Sequence, residues 1–287
     1  MMKRARTLKP YLYLMPILVL SAVFIYLPLG RSVVYSLSQV NRLGEVRGFV
    51  GADNFARLFS RREFLSALGN TLRMTAVNVP VTMALTLCLG KMCAMPHPAA
   101  PFTEGLLALP MAVSMSAAAL IFKVFLDPTV GYVNAALGVS FKGYESAQTA
   151  LLSVVFLTVW MGIGYNFLLF TGAFRGLPRD VLESAAIDGA GRIRIFFSME
   201  LPMIRPTAMY VLCTNTILAV MTSGPIMIIT QGGPARATTT LVYLMYTMGI
   251  GSGNFSMAGC VSLVLIALTF VFSLGILWLD REKVQYA

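Results

Sequence analysis

Six long apolar stretches, separated by more polar segments, constrain this chain more than any other feature of its sequence. Each is long enough for a bilayer core about 30 Å thick, which needs roughly 20 residues in a helix. Because backbone polar groups cannot stay unpaired in lipid, each stretch is predicted to be a helix. The stretches cover about Tyr11–Gly30, Thr71–Met95, Phe102–Leu126, Ala150–Phe174, Thr207–Thr230 and Phe255–Leu279. The predicted fold class is all-α, a polytopic membrane protein with six transmembrane helices.

The composition supports a lipid environment. Hydrophobic residues make up 57% of the 287 positions and charged residues 12%, about half the charged fraction of a soluble domain. The excess of 22 Lys and Arg over 12 Asp and Glu invites comparison with nucleic-acid-binding proteins. The basic residues are scattered, however, and no recognition motif accompanies them. Basic residues at helix ends are expected beside lipid headgroups, so no nucleic-acid partner is predicted.

The cysteine and histidine inventory does not predict a metal or redox site. Cys88, Cys93, Cys213 and Cys260 lie in apolar stretches, none belongs to a C-x-x-C pair, and the single histidine is His97. Zinc sites need four such ligands at suitable spacing. We therefore predict buried, unreactive thiols that act as small hydrophobic groups.

Orientation follows from the N-terminus. Lys3, Arg4, Arg6 and Lys9 precede an apolar run that is longer than a signal-peptide core and has no clear cleavage site. An uncleaved anchor is favoured over a signal peptide, with both termini in the cytoplasm after six crossings. On this topology 12 basic residues lie inside and 10 outside, a difference too small to fix the orientation.

No charged residue lies near the middle of a predicted helix. Ion-coupled transporters place ionisable groups there because those groups carry the coupling charge, so the energy for any transport is expected to enter elsewhere. Pro80, Pro110 and Pro225 are predicted to interrupt or kink their helices.

The segment between the fourth and fifth predicted helices is expected to form two short helices around a glycine. Pro178 suits a first helical turn, and Gly189 suits the left-handed position that ends a helix. A second short helix is predicted from about Arg192 to Glu200, ending before Pro202.

The first of these helices carries a compact surface of small and apolar side chains edged by acidic ones. Its residues are Leu182, Glu183, Ala185, Ala186, Ile187 and Asp188. Such a surface fits insertion into the groove of a partner protein. It also fits an amphipathic helix lying on the bilayer, which Arg179, Arg192 and Arg194 would support. The residues alone leave both interpretations open.

A resemblance to a known family bears on that choice. Residues 183–190 read Glu-Ser-Ala-Ala-Ile-Asp-Gly-Ala and are followed by Phe196, Leu201-Pro202 and Pro206. This pattern resembles the EAA loop of binding-protein-dependent ABC importer permeases. Ser184 replaces the usual first alanine, and Met199 replaces the usual isoleucine.

Two further matches extend the resemblance along the chain. Residues 49–55, Phe-Val-Gly-Ala-Asp-Asn-Phe, resemble the external segment of carbohydrate-importer permeases. Residues 230–234, Thr-Gln-Gly-Gly-Pro, followed by residues 238–243, resemble their loop after helix five. The subgroup is maltose-importer-like, of the first-permease type, and is similar to the first permease of the glycerol-3-phosphate importer.

The resemblance implies a single transmembrane domain over residues 1–287, with a core permease region at about 71–280 and a cytoplasmic coupling segment at 175–206. It implies that this segment contacts a separate ATPase. The implied contact residues are Glu183, Ser184, Ala185, Ala186, Ile187, Asp188, Gly189 and Ala190.

The implied partners are a second permease subunit, two copies of the ATPase and an extracytoplasmic solute-binding protein, at a bacterial or archaeal inner membrane. The chain has no G-x-x-x-x-G-K-[ST] phosphate loop. ATP and Mg²⁺ are therefore expected on the ATPase, no cofactor is expected in this chain, and the chain is not expected to be an enzyme.

The implied substrate pathway includes Gly162 and Tyr165, which match sugar-contacting positions of the subgroup and share one helix face. Asn166, Thr222 and Ser223 are further polar candidates. Helix packing is the alternative role for these residues. The subgroup often has Phe-Asp where this chain has Ser223-Gly224, which weakens any transfer of solute identity.

Two other classes of function compete with the importer subunit. One is a stand-alone secondary transporter or facilitator, although no inverted repeat is evident. The other is a membrane scaffold that uses the segment only for docking. The solute stays open among sugars, polyols and glycerol phosphates, since the predicted membrane interior has no cation to hold a phosphate.

Overall fold

The computed structural model describes residues 13–96 and 98–281 and is mostly helical. Its elements are α1 (Tyr13–Ser36), β1 (Ser38–Val40), β2 (Val46–Phe49), α2 (Asp53–Phe59), α3 (Arg62–Ala94), α4 (Ala100–Ala112), α5 (Met115–Phe125), α6 (Tyr132–Leu137), α7 (Ala150–Arg175), α8 (Arg179–Ile187), α9 (Arg192–Met203), α10 (Arg205–Val220), α11 (Leu241–Gly251) and α12 (Phe255–Arg281). Lys3, Arg4, Arg6, Lys9, His97 and the first residues of the first predicted helix lie outside the described residues.

Four helices are long and apolar enough to cross a bilayer, namely α1, α3, α7 and α12. Two further spans are bent pairs, in which α4 meets α5 at 101° and α9 meets α10 at 70°. By length and composition, the described residues contain four spans, or six if each bent pair counts as one. Breaks are present after Pro110 in the third predicted helix and between Val220 and Pro225 in the fifth, where interruptions were predicted.

The bends have local causes. After Pro110, α4 ends at Ala112, Val113 is extended, and Ser114 starts α5 by accepting the Ala117 N–H at 3.2 Å. This hydrogen bond makes Ser114 a helix cap. The bend between α9 and α10 falls at Ile204, and Pro206 lies in the first turn of α10. Further along, α10 ends at Val220, and Pro225 caps a separate π-helical turn over Ile226–Thr230. Pro80, by contrast, lies inside an uninterrupted α3.

The described residues form two compact units, one of residues 13–64 and 244–266 and the other of residues 65–243 and 267–281. In the first unit, Asn54 donates to the carbonyls of Ser36 and Ser38, each at 3.0 Å, and so fixes α2 beside the β1–β2 hairpin. A Cβ on Gly259 would lie 3.0 Å from Ser32 O. Glycine at this position therefore permits close approach of α12 to α1.

In the second unit, α7 is the most buried of the four long helices, and 44% of its most apolar window is inside the protein. One cluster joins its last turns to α10 through Phe170, Phe174 and Val211. A Cβ on Gly90 would lie 3.0 Å from the Thr171 N, so α3 also packs closely against α7. These contacts pack both α3 and α10 against α7.

The Thr230–Tyr243 stretch, singled out in the sequence, is a structural loop of the second unit. Asn70 on α3 donates to the carbonyls of Arg236 and Thr239 at 2.9 and 3.1 Å. Gly232 has φ +80°, and a Cβ there would lie 2.6 Å from the Tyr243 ring. This loop needs glycine because only glycine fits that conformation and that space.

Candidate functional site

A cavity of about 470 Å³ lies between α3, α7 and α10, and residues 221–225 also line it. All five residues predicted for the substrate pathway, Gly162, Tyr165, Asn166, Thr222 and Ser223, are among its lining residues. Nothing in the sequence indicated that Gly162 and Thr222 lie close together. Packing of α10 against α7 brings them together.

Side-chain amides and hydroxyls form two pairs in this cavity. Asn166 on α7 donates to the Asn215 Oδ1 on α10 at 2.9 Å, and both side chains are buried. Asn78 on α3 donates to the Thr158 Oγ1 on α7 at 2.5 Å. The pairs join three helices where lipid and protein offer few other hydrogen-bond partners.

Two buried polar groups in the cavity wall have no partner in the described structure. They are the Thr82 Oγ1 and the Asn215 Nδ2, on residues that are 1% and 7% exposed. An unsatisfied buried donor costs about 1–3 kcal/mol. A polar molecule in the cavity would remove that cost by accepting these hydrogen bonds.

Gly162 has a packing role as well as a place in the cavity wall. A Cβ at Gly162 would lie 3.1 Å from the Thr82 Cγ2, closer than side chains normally approach. The glycine therefore allows α3 to lie near α7 at this level. The packing role considered from the sequence is thus present at the same residue.

Tyr165 and Thr222 differ in how free their hydroxyls are. The Tyr165 hydroxyl lies 3.4 Å from that of Tyr210, and the Tyr165 side chain is 46% exposed. The Thr222 hydroxyl, just beyond the end of α10, donates to Leu218 O in the last turn of that helix at 2.9 Å. Tyr165 can therefore reorient towards a ligand more readily than Thr222.

Sequence reasoning missed Thr82, Thr158, Thr214 and Asn215 as cavity residues. A signal was present on α3, where five buried polar residues recur at intervals of three or four. They are Thr71, Thr75, Asn78, Thr82 and Thr86. This spacing puts them on one face of the helix, and a polar face within an apolar helix indicates the bundle interior.

The first helix of the coupling segment, α8, ends in a Schellman motif. Gly189 has φ +85°, the left-handed conformation predicted for it. The Ala190 N–H donates to Ala185 O at 3.0 Å, and the Gly189 N–H donates to Ala186 O at 3.1 Å. These two hydrogen bonds define the motif and turn the chain sharply into α9.

None of the eight residues predicted to contact an ATPase is buried in this chain. Ile187 is 85% exposed, and Ile193 and Phe197 on α9 are 77% and 62% exposed. Within the described residues, neither the Glu183 nor the Asp188 carboxylate has a hydrogen-bond or ion-pair partner. The segment thus presents apolar groups and acidic groups outward together.

The second short helix extends further than predicted. It continues to Met203 instead of ending before Pro202. Residues Phe196–Glu200 form a π-helical turn in which the Leu201 N–H donates to Phe196 O. Pro202 then lies in the first turn of the next helical piece, where a missing N–H has no consequence.

Three ion pairs flank the coupling segment among the described residues. Arg175 pairs with Glu104 and also donates to Cys93 O at 2.9 Å. The others are Lys91 with Glu200, and Arg205 with Asp280 at 3.1 Å. The sequence did not indicate these pairs, because the two partners of a pair are up to 109 positions apart.

The loop between α5 and α7 is held by Asp127. Its Oδ1 accepts from the Thr129 hydroxyl at 2.7 Å and from the Thr129 and Val130 N–H groups, and its Oδ2 accepts from the Tyr144 hydroxyl at 2.9 Å. These hydrogen bonds, that of the Thr129 hydroxyl first, hold the Asp127 pKa well below its usual range. Burial and the bond to Asp127 raise the pKa of Tyr144 to about 12.

The cysteine prediction is partly wrong. Cys93 and Cys260 are buried, but Cys88 is exposed on α3. In residues 13–96 and 98–281, no three His, Cys, Asp or Glu side chains are grouped to hold a metal ion.

Three features define the class as a membrane transport component. They are apolar helices long enough to span a bilayer, a cavity with no charged residue among those lining it, and a solvent-exposed segment of two short helices. Residues 89–283 match the family described as binding-protein-dependent transport system inner membrane component. The chain belongs to this family.

Curated relatives agree with the family over almost the full length. The chain is 33% identical over 281 residues to the sn-glycerol-3-phosphate transport system permease protein UgpA of Yersinia pestis, covering 96% of this chain and 95% of the relative. It is 34% identical to the UgpA of Salmonella typhi, again over 96% of this chain and 95% of the relative.

Solved structures share the fold. A chain of the bacterial alginate ABC transporter in complex with its alginate pentasaccharide-bound periplasmic protein superposes with a TM-score of 0.84 at 19% identity, covering 99% of this chain and 97% of that one. A chain of the MetNI methionine ABC transporter, in an inward-facing conformation, gives a TM-score of 0.58 at 16% identity, covering 76% and 94%.

Proposed function

We propose that this chain is a permease subunit of an ATP-driven ABC importer and spans the inner membrane six times, with both termini in the cytoplasm. It pairs with a second permease, two copies of an ATPase and an extracytoplasmic solute-binding protein. The solute is a carbohydrate or a related polyol or glycerol phosphate. Family membership and the names of the UgpA relatives support this choice.

The observation that carries the proposal is the solvent exposure of the coupling segment. Its exposed Ile187 and unpartnered Glu183 need another protein to cover an apolar group and to pair a charge. Both are among the residues that resemble the EAA loop. A separate ATPase that binds ATP and Mg²⁺ supplies the energy, and α8, seated in a cleft of that ATPase, transmits its movement to the helix bundle.

The cavity supports a neutral, hydroxylated part of the solute. Its described lining residues offer amides, hydroxyls and the Tyr165 ring, and none of them is charged. Thr82 and Asn215 each keep a free donor that a solute hydroxyl can accept from. If the solute carries a phosphate, the cation that binds it lies on the second permease or on the binding protein.

The test is reconstitution of the four-component transporter in proteoliposomes, with radiolabelled glycerol 3-phosphate, maltose and glycerol as probes. We expect ATP-dependent uptake of at least one probe, stimulated by the loaded binding protein. Glu183→Lys should abolish uptake without preventing membrane insertion, because it reverses the charge offered to the ATPase. Asp180→Lys, one turn earlier on the same exposed helix, is the matched control and should retain uptake.

Three results would contradict the proposal. Uptake by this chain alone, without ATP, would make it a secondary transporter or facilitator. Full ATPase coupling in the Glu183→Lys transporter would remove the coupling role of α8. Labelling of Ile187→Cys only from the outside of intact cells would reverse the topology.

A further inference from the structure

We infer that the ion pair between Lys91 and Glu200 is a positioning pair that transmits movement of the coupling segment to α3, and through α3 to the cavity. The inference rests on the proposed function, because it concerns how movement at the ATPase-coupling segment reaches the substrate cavity. The two residues belong to different helices and are 109 positions apart in the chain.

The burial of its carboxylate sets this pair apart, since the Glu200 side chain is 7% exposed and that of Lys91 30%. As a whole residue, Glu200 is only 5% exposed, and the Lys91 Nζ donates to its Oε1. The Lys91 ammonium also lies 5.2 Å from the centre of the Phe174 ring, within the range of a cation–π contact. A carboxylate this buried needs its cation, and loss of either partner leaves an uncompensated charge.

The other two ion pairs near the coupling segment are more exposed and join different elements. In the Arg175–Glu104 pair, the side chains are 48% and 23% exposed, and in the Arg205–Asp280 pair 26% and 31%. Among the ion pairs of the described residues, only Lys91–Glu200 joins α9 to α3. Among the described residues it is thus the one ion pair between the coupling segment and α3, although the Arg175 guanidinium also donates to the Cys93 carbonyl on α3.

The path from this pair to the cavity is short and rigid. Lys91 lies in the last turn of α3, and Thr82 lies on the same helix, about 14 Å away along the axis at 1.5 Å per residue. Thr82 and Asn78 line the cavity. A displacement of Glu200 that pulls Lys91 must therefore move the cavity wall, unless α3 bends between them.

Two features indicate a role beyond stability. The second oxygen of Glu200, Oε2, is buried without a hydrogen-bond partner in the described structure, and packed apolar residues are often at least as stable as a buried ion pair. Glu200 is also the last residue of the π-helical turn Phe196–Glu200. Such turns are frequent at functional sites and interrupt the regular helical ladder.

The experiment measures the number of solute molecules taken up per ATP hydrolysed by the complete reconstituted transporter. One variant is the neutral double mutant Lys91→Met/Glu200→Gln, which leaves no unpaired buried charge. We expect it to assemble with its partners and hydrolyse ATP, while uptake per ATP falls by about tenfold, as expected when a coupling energy is lost at an intermediate residue. The charge-swapped double mutant Lys91→Glu/Glu200→Lys should recover most of the ratio.

Glu104→Gln is the matched control, because it removes the more exposed ion pair near the same segment, and it should keep the wild-type ratio. The inference is overturned if the neutral double mutant keeps the wild-type ratio, if Glu104→Gln lowers the ratio equally, or if the charge swap restores nothing. Failure of the neutral double mutant to assemble would also overturn it, since the pair would then serve folding alone. Absence of ATP-dependent uptake in the wild type would instead contradict the proposed function.

Discussion

The coupling segment and the cavity between α3, α7 and α10 differ in how far their side chains find partners within this chain. In the segment, Ile187 is 85% exposed, and the Glu183 and Asp188 carboxylates have no partner among the described residues. In the cavity, Asn166 and Asn215 are buried and bonded to each other, and two donors are left free. The exposed apolar and acidic side chains of the segment need a partner protein to cover and pair them. The cavity, in contrast, lacks only a few hydrogen bonds.

This difference teaches how each region should respond to mutation. A change in the segment alters the shape or charge offered to a partner, so it should abolish coupling with little effect on the subunit itself. A change in the cavity alters both packing and solute contacts, so the stability of the subunit and the rate of transport should both change. The four predictions below test this distinction.

The largest effect is expected for Gly189→Val. A β-branched side chain at φ +85° costs on the order of 1–2 kcal/mol and disrupts the Schellman turn that presents α8. We expect ATP-dependent uptake to fall to background, while the thermal stability of the isolated subunit in detergent changes little. Gly191→Ser is the control, because Gly191 caps α9 with φ −67° and open space around it. Equal loss of uptake in both variants would show that the turn geometry is not the cause.

A smaller effect is expected for Thr82→Val, which should stabilise the subunit but weaken solute binding. The change removes a buried hydroxyl that has no partner, so the free energy of unfolding should rise by about 1 kcal/mol. If that hydroxyl binds solute, the KM for uptake should rise by up to about tenfold, since a neutral hydrogen bond contributes about 0.5–1.5 kcal/mol.

Thr86→Val is the matched control for this prediction. Thr86 is equally buried one turn away, and its hydroxyl already donates to Thr82 O at 2.7 Å. It should lose a little stability and leave KM unchanged. A Thr82→Val transporter that is more stable but has an unaltered KM would remove Thr82 from the solute site.

A third prediction concerns the close approach of two helices. Gly162→Ala places a methyl group 3.1 Å from Thr82 Cγ2 and should destabilise the subunit by about 1–3 kcal/mol and lower uptake. Gly172→Ala on the same helix meets open space and should gain roughly 0.5–1 kcal/mol. Denaturation of both variants in detergent checks the sign. A stabilised Gly162→Ala variant would show that α3 and α7 have room to spare.

The smallest effect is expected for Asp127→Asn, in a loop that is internally bonded but lines neither region. Its depressed pKa means that ionised Asp127 stabilises the loop above its usual pKa of about 3.9. This contribution diminishes as the pH falls below that value. The melting temperature of the variant should therefore be slightly lower at pH 7, with the difference narrowing towards pH 3.5. Uptake that drops together with the melting temperature at pH 7 would give the loop a transport role.

The coupling segment was largely predictable from the sequence because its features are local. A proline, a glycine and small residues specify two short helices and a turn within a few residues. The same local reasoning failed at Pro202, where a π-helical turn moved the backbone pairing. It predicted an interruption near Pro110 but not the bend between α9 and α10 at Ile204.

The cavity and the ion pairs could be predicted only in part. Gly162, Tyr165 and Asn166 were found through their helical spacing and the resemblance, but Asn215 and Thr82 were not. Their importance arises from what lies opposite on another helix. The polar face of α3 was visible as a repeat, although the sequence did not say which helices it faces.

The sequence by itself therefore determined the lipid environment, the helical class and the outward turn at Gly189, since hydropathy and backbone conformation depend on neighbouring residues. The tertiary structure alone decided which polar groups pair, which remain free and that Lys91 meets Glu200. Hydrogen bonds and ion pairs require contact within a few ångströms, and only the packing of distant helices brings such groups together.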